Sequence, residues 1–251
     1  MSKWARWPAS GISASSAAHL GGESYLGSAI LISRIRKPLH HQRHVPDRGP
    51  IWRDIPVGLR HVWRTPFLRI TLLCAAGINI VFAGLSLAII AAQTAHGSAA
   101  AHIGAAFGMG AIGGILGAWA AAPLQRRIAP AGLVYIFGWT ATLGLATLSE
   151  THNAYAIGAL LAAVFFTATP ANAMLFAVQI HITPPQLQGR VIGAAMLTGG
   201  IAAPLGPLLA GYLFDHTGQA PTFLTFATVV AALTLAMHLS ATIRTMRRPG
   251  G

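Results

Sequence analysis

From Ile70 to Gln125 the chain carries no Asp, Glu, Lys or Arg. A helix in water keeps a charged face toward solvent, so a run of this composition has no place at the surface of a soluble domain. At roughly 20 residues per crossing it is long enough to pass a bilayer twice. The small polar stretch Thr94-Ala95-His96-Gly97-Ser98 divides it into two apolar blocks. Similar blocks recur downstream and predict spans at about 67–93, 101–123, 131–148, 154–179, 191–213 and 221–243. The expected fold class is an all-α membrane protein, a six-transmembrane-helix bundle over residues 67–243.

Charge then orients the spans. The first, third and fifth connections (94–100, 149–153 and 215–220) hold no Lys or Arg and contain the acids Glu150 and Asp215. The second and fourth carry Arg126, Arg127 and Arg190, and the tail 244–251 carries Arg244, Arg247 and Arg248. Basic residues retained on one side predict a multi-pass protein of the cell membrane with both ends of the bundle cytoplasmic. That placement accounts for a net charge of +12 without a nucleic-acid partner. Hydrophobic residues make up 54% and charged residues 9%, against about 25% charged in soluble domains.

Ahead of the bundle lies an amino-terminal segment, 1–33: residues 1–22 are too serine-rich and broken for a signal peptide, and Tyr25–Ile35 is about half a span, the remnant of a preceding helix. Residues 34–66 form a basic, proline-broken loop. Within it Ile55, Leu59, Val62 and Trp63 recur at helical spacing opposite Arg60 and Arg64, the pattern of an amphipathic helix on a membrane surface. His40, His41 and His44 with Asp47 read as a polar linker, because no other ligand set converges on them. Cys74 stands alone, which excludes an internal disulfide. No nucleophile elbow, paired carboxylates or metal spacing points to an enzyme, and no cofactor or metal is expected.

The second span is lined by Gly104, Gly108, Gly110, Gly113, Gly114 and Gly117, small residues that let helices approach closely in lipid. Its literal G-x-G-x-x-G at 108–113 lacks a preceding strand and a following acid, so it is not a dinucleotide site. Around the fifth span the chain reads Ile182-Thr-Pro-Pro-Gln-Leu-Gln-Gly-Arg-Val-Ile-Gly193 and then Gly199-Gly-Ile-Ala-Ala-Pro-Leu-Gly-Pro-Leu-Leu-Ala-Gly-Tyr-Leu-Phe-Asp215. Here it resembles the major facilitator superfamily, in the efflux branch related to the enterobactin exporter. The stretch Asp54…Gly58-Leu-Arg-x-Val-Trp-Arg-x-Pro-x-Leu-Arg69 is similar to that family's central loop entering the seventh helix. The resemblance covers roughly residues 25–243. It departs after Pro123, where Gln125-Arg126-Arg127 lacks the acid that the family often shows nearby.

The resemblance implies half of a major facilitator fold, a 3+3 repeat comprising helices seven to twelve, with Tyr25–Arg36 as the end of helix six. It also implies a small-molecule substrate, amphipathic or apolar, exported by alternating access. Besides the lipid bilayer it implies a complementary six-helix bundle as partner: a missing amino-terminal half, a separate chain or a second copy. A membrane scaffold or regulatory subunit without transport is the alternative. The first and fourth spans would line the cavity, and spacing supports this. Asn79, Phe82, Ser86 and Gln93 share one helical face, as do Phe165, Thr169, Asn172, Phe176 and Gln179 beside Pro170, which should kink its helix. For Asn79 and Asn172, helix–helix hydrogen bonding is the competing reading. Arg190 is either a latch to the opposite bundle or a topological anchor, like Arg126 and Arg127. Gly189, Pro204, Gly206, Pro207 and Gly211 would let the fifth span bend and pack, and Asp215 would end it. No acid lies inside a span, so no carboxylate proton relay is visible, and His102, His181 and His238, near span ends or within the last span, are the weaker candidates for one.

Overall fold

Charge-free apolar runs become helices because lipid offers backbone N–H and C=O groups no other partner. The computed structural model describes Arg60 and residues 62–244, all within one unit, 49–251. Its helices are α1 (Pro66–Ala95), α2 (Ala100–Arg127), α3 (Pro130–Leu148), α4 (Ala154–Ile182), α5 (Gln188–Ala202), α6 (Leu205–Thr217), α7 (Gln219–Leu239) and the single turn α8 (Ala241–Arg244). Six stretches are long and apolar enough to cross a membrane, the fifth being α5 and α6 together. The segment 1–33 with Tyr25–Arg36, the histidines at 40–44, most of the amphipathic stretch 54–63 and the tail after Arg244 lie outside the described residues.

Local chemistry sets the boundaries. Pro66 and Pro130 open α1 and α3, where a missing N–H costs no helical bond. The Asn153 side chain caps α4, accepting from the N–H groups of Tyr155 and Ala156. Arg126 and Arg127 occupy the last turn of α2, favourable against the helix dipole. Gly218 adopts φ 83°, the left-handed conformation that turns the chain from α6 into α7. Threonines inside the spans hydrogen-bond within their own helix, including Thr71 to Phe67, Thr142 to Gly138, Thr228 to Leu224 and Thr234 to Val230.

The helices pack in two matching sets. α2 runs parallel to α4, and the broken span α5–α6 runs parallel to α1. α3 packs on α4 as α7 packs on α1, and α3 meets α7 between them. A core of Val81, Leu85, Ile89, Leu145, Leu161, Phe223, Phe226 and Val230 joins the two sets.

The glycines of α2 serve two purposes. A Cβ on Gly113 would lie 2.5 Å from Ala162 Cα, and one on Gly117 would lie 2.9 Å from Phe166 Cα, so two backbones touch along this seam. Gly104 and Gly108, on another face, have nothing within 4 Å. Pro170 is fully buried, and α4 runs on through it. Having no N–H, Pro170 leaves the carbonyl of Phe166 without its helical donor. That carbonyl is the one Gly117 packs against, so the glycine and the proline form one contact. The Gln125 side chain then donates to the carbonyl of Pro170 at 3.2 Å.

Candidate functional site

The two faces named from spacing belong to α1 and α4. Asn79 and Ser86 on α1, and Asn172 and Phe176 on α4, are exposed along stretches that carry no Asp, Glu, Lys or Arg. Polar side chains that lipid would penalise in this way suit a surface facing water or solute. Asn79 donates to the carbonyl of Ala75 at 3.0 Å, so its amide is held along the helix. Phe82 and Phe165 close the middle of the site, with ring centroids 5.9 Å apart, and Phe82 also meets Phe137 at 6.1 Å. Thr169 turns toward α2, its hydroxyl donating to the carbonyls of Phe165 (3.0 Å) and Gly114 (3.4 Å). Phe176 and Gln179 line a cavity of about 10 Å³ with Ile180, Thr183, Gln188, Val191 and Ile192, room for one water.

Gln93 leaves the face that spacing assigned to it. It is 0% exposed, donates to the carbonyl of His152 at 3.0 Å and accepts from the Ser98 hydroxyl at 2.9 Å. Periodicity places Gln93 in line with Asn79 and Ser86, but the 149–153 connection closes over that end of α1. Gln219 holds the same connection, donating to the carbonyls of Leu148 and Thr151 at 3.3 Å each. Replacing Gln93 by Leu should remove two part-buried hydrogen bonds, to the carbonyl of His152 and from the hydroxyl of Ser98, at a cost of about 0.5–1.5 kcal/mol each. A lowered apparent Tm in detergent with unchanged far-UV circular dichroism is the expected reading.

The residues assigned to packing and conformation fall into three places. Arg126 and Arg127 are exposed at the end of α2, and Asp215 is exposed in the last turn of α6. Gly189 and Arg190 open α5, Gly189 with no atom near its missing Cβ. Pro204 lies in the break between α5 and α6 and Pro207 in the first turn of α6, and Gly206 beside it meets α1: its Cβ would lie 2.6 Å from the Gly84 nitrogen. Gly211 has slack, with Leu87 Cδ2 4.0 Å away.

Two arrangements escape sequence reading. The Gln188 side chain donates to the carbonyls of Ile180 (3.2 Å) and Thr183 (3.4 Å), closing the end of α4. Among the titratable groups, His238 is stacked on Tyr135 with centroids 3.6 Å apart and accepts from the Trp139 indole N–H at 3.2 Å. That acceptance places its ring proton on Nδ1. Neither is legible along the chain, since their partners lie on other segments.

Among the described residues no cluster of three His, Cys, Asp or Glu is placed to hold a metal ion. Residues 20–207 match the Major Facilitator Superfamily. The chain is also 28% identical over 187 residues to a protein named multidrug efflux pump Tap from Mycolicibacterium fortuitum, covering 71% of this chain and 45% of that one. It therefore spans about half the length of that relative. No solved structure matches it. With 188 of its 251 residues matched and six apolar spans packed in two repeating sets, the chain belongs to the Major Facilitator Superfamily, a family of transporters.

Proposed function

We propose that this chain is the carboxy-terminal six-helix half of an efflux transporter, exporting a small amphipathic or apolar solute by alternating access. The observation that carries this reading is the exposed, uncharged face of Asn79, Ser86, Asn172 and Phe176 along α1 and α4. Amides and a hydroxyl beside an aromatic ring offer hydrogen bonds and apolar contact but no countercharge, which suits a solute of low charge. The efflux function named for the Mycolicibacterium protein, and the likeness to the enterobactin exporter type in the 182–215 stretch, point the same way. A second six-helix bundle completes the cavity, because transporters of this kind move one bundle against another around a site between them. The reading places the arginine-bearing ends in the cytoplasm.

Two measurements test it. In proteoliposomes holding the chain with a second bundle, or with its own copies, Asn172→Ala with Phe176→Ala should raise the KM for N-phenylnaphthylamine export about tenfold or more, equivalent to about 1.4 kcal/mol of lost contact. Folded protein that moves no solute under either condition would instead favour the non-transporting scaffold. For orientation, Ser98→Cys should react with a membrane-impermeant maleimide on intact cells, whereas Gln186→Cys should react only after permeabilisation. The opposite labelling pattern reverses the assigned sidedness.

A further inference from the structure

The two parallel helix pairs occupy matching positions in the repeat, yet they are built differently. α2 meets α4 along a seam of Gly110, Gly113 and Gly117. The fifth span meets α1 backbone to backbone at Gly206, where a Cβ on Gly84 would lie 2.5 Å from the Gly206 carbonyl oxygen. At that crossing the fifth span is also broken. Pro204 cannot donate to the carbonyl of Gly200, and Pro207 cannot donate to that of Ala203, which is taken instead by the Gly206 N–H at 3.1 Å. Two helical bonds are missing side by side, as at hinges in discontinuous transporter helices.

On the arginine-bearing side of this break lies α5. It is buried at Val191, Ala194 and Ala202, and Val191 with the half-buried Ala195 joins it to the core formed with α1, α3 and α4. At Gly193 and Gly200 nothing lies within 4 Å of a missing Cβ. What α5 covers is the candidate cavity. A Cβ on Gly199 would touch Asn79 Nδ2 at 3.7 Å, and Val191 and Ile192 wall the space beside Phe176 and Gln179. Its far end is fastened by Gln188, whose amide closes on two carbonyls at the end of α4.

We infer that α5 is a movable cover over the arginine-end half of the cavity, pivoting at the Gly84–Gly206 crossing and latched shut by Gln188. α6 stays on α1 while α5 swings. The purpose given to the motion rests on the transport reading, but the motion itself does not. A 15-residue helix is about 22 Å long, so a proline-sized change in kink of about 20° carries its Gln188 end about 7 Å, with the 183–187 connection following it.

The test is spin-label distance measurement on the 251-residue chain in lipid nanodiscs, in a Cys74→Ser background. The pair Ala122→Cys with Gly193→Cys reports on α5, and Ala111→Cys with Leu208→Cys reports on α6. The expected result is two populations about 7 Å apart for the first pair and one for the second. Gln188→Ala should shift the first pair toward its open population, and Pro204→Ala with Pro207→Ala should merge the two into one. A single narrow population for the first pair, or equal shifts in both pairs, overturns the inference. Two populations, with no export in proteoliposomes holding the chain with a second bundle or its own copies, would remove the transport reading and leave the pivot; one population with that export intact would remove the pivot alone.

Discussion

Gly113→Leu combined with Gly117→Leu is expected to yield no folded bundle in the membrane. Carbon atoms in contact sit about 3.5–4.0 Å apart. A single Cβ at Gly113 would stand 2.5 Å from Ala162 Cα, so even alanine there requires α2 to retreat by about 1 Å along its whole seam with α4. The obstacle is backbone, which has no rotamer to yield. The single Gly113→Ala change should therefore cost about 1–3 kcal/mol, the usual range for overpacking. Retreat also strips the cover from the Phe166 carbonyl that Pro170 leaves without a donor, which adds to the loss. Gly104→Ala and Gly108→Ala are the controls. They lie on the same helix with nothing within 4 Å, so they should be neutral or mildly stabilising. Apparent Tm by size exclusion after heating separates the two classes. Equal effects at all four positions would show that the seam is not where α2 is held.

Phe223→Ala is expected to cost about 2–3 kcal/mol, less than in a water-soluble protein. Phe223 is 2% exposed and sits where α7 joins the central core with Phe226 and Val230. In soluble cores Phe→Ala costs about 3–5 kcal/mol, from transfer out of water plus the cavity left behind. In a bilayer the separated helix already rests in hydrocarbon, so most of the transfer component vanishes. The cavity component remains: removing roughly 100 Å³ at about 24 cal/mol per Å³ gives about 2.4 kcal/mol if the site does not collapse. Leu224 is the natural comparison, one position away and exposed, and Leu224→Ala should change little. Steric trapping or denaturation in bicelles measures both. A loss at Phe223 no larger than at Leu224 would mean that the core has collapsed around the smaller side chain.

These expectations separate what is legible along the chain from what is not. Where the spans lie is written in the absence of charge, because lipid tolerates no other solution from Ile70 to Gln125. Which residues face which neighbour is written only in part. Spacing groups Asn79, Phe82, Ser86 and Gln93 on one stripe, but the stripe is open at Asn79, stacked over at Phe82 and roofed at Gln93. The six glycines of α2 look alike in sequence, and only the path of α4 divides them into seam and exterior. Gly206-Pro207 announces a bend; a full interruption needs the second missing donor at Pro204, and a single fulcrum needs Gly84 from another span. Glutamines were least informative of all. Gln93, Gln125, Gln188 and Gln219 each bond a backbone carbonyl outside their own helix, and no local pattern identifies such a carbonyl.

The hydroxyls and the amides also divide the birth of this protein into two stages. A threonine whose proton is already given to its own helix, as at Thr142, Thr228 or Thr234, asks nothing of neighbours when that helix leaves the translocon alone. Each such span can enter lipid singly and wait. The four glutamines cannot be satisfied in that way, since their carbonyls arrive on segments made later or earlier. Insertion is therefore local work and closure is collective: Gln93 finds the carbonyl of His152 only after two further helices have been synthesised and turned back beside it. A ribosome stalled before residue 150 would leave the threonines bonded within their own helices and the Gln93 amide without the carbonyl of His152.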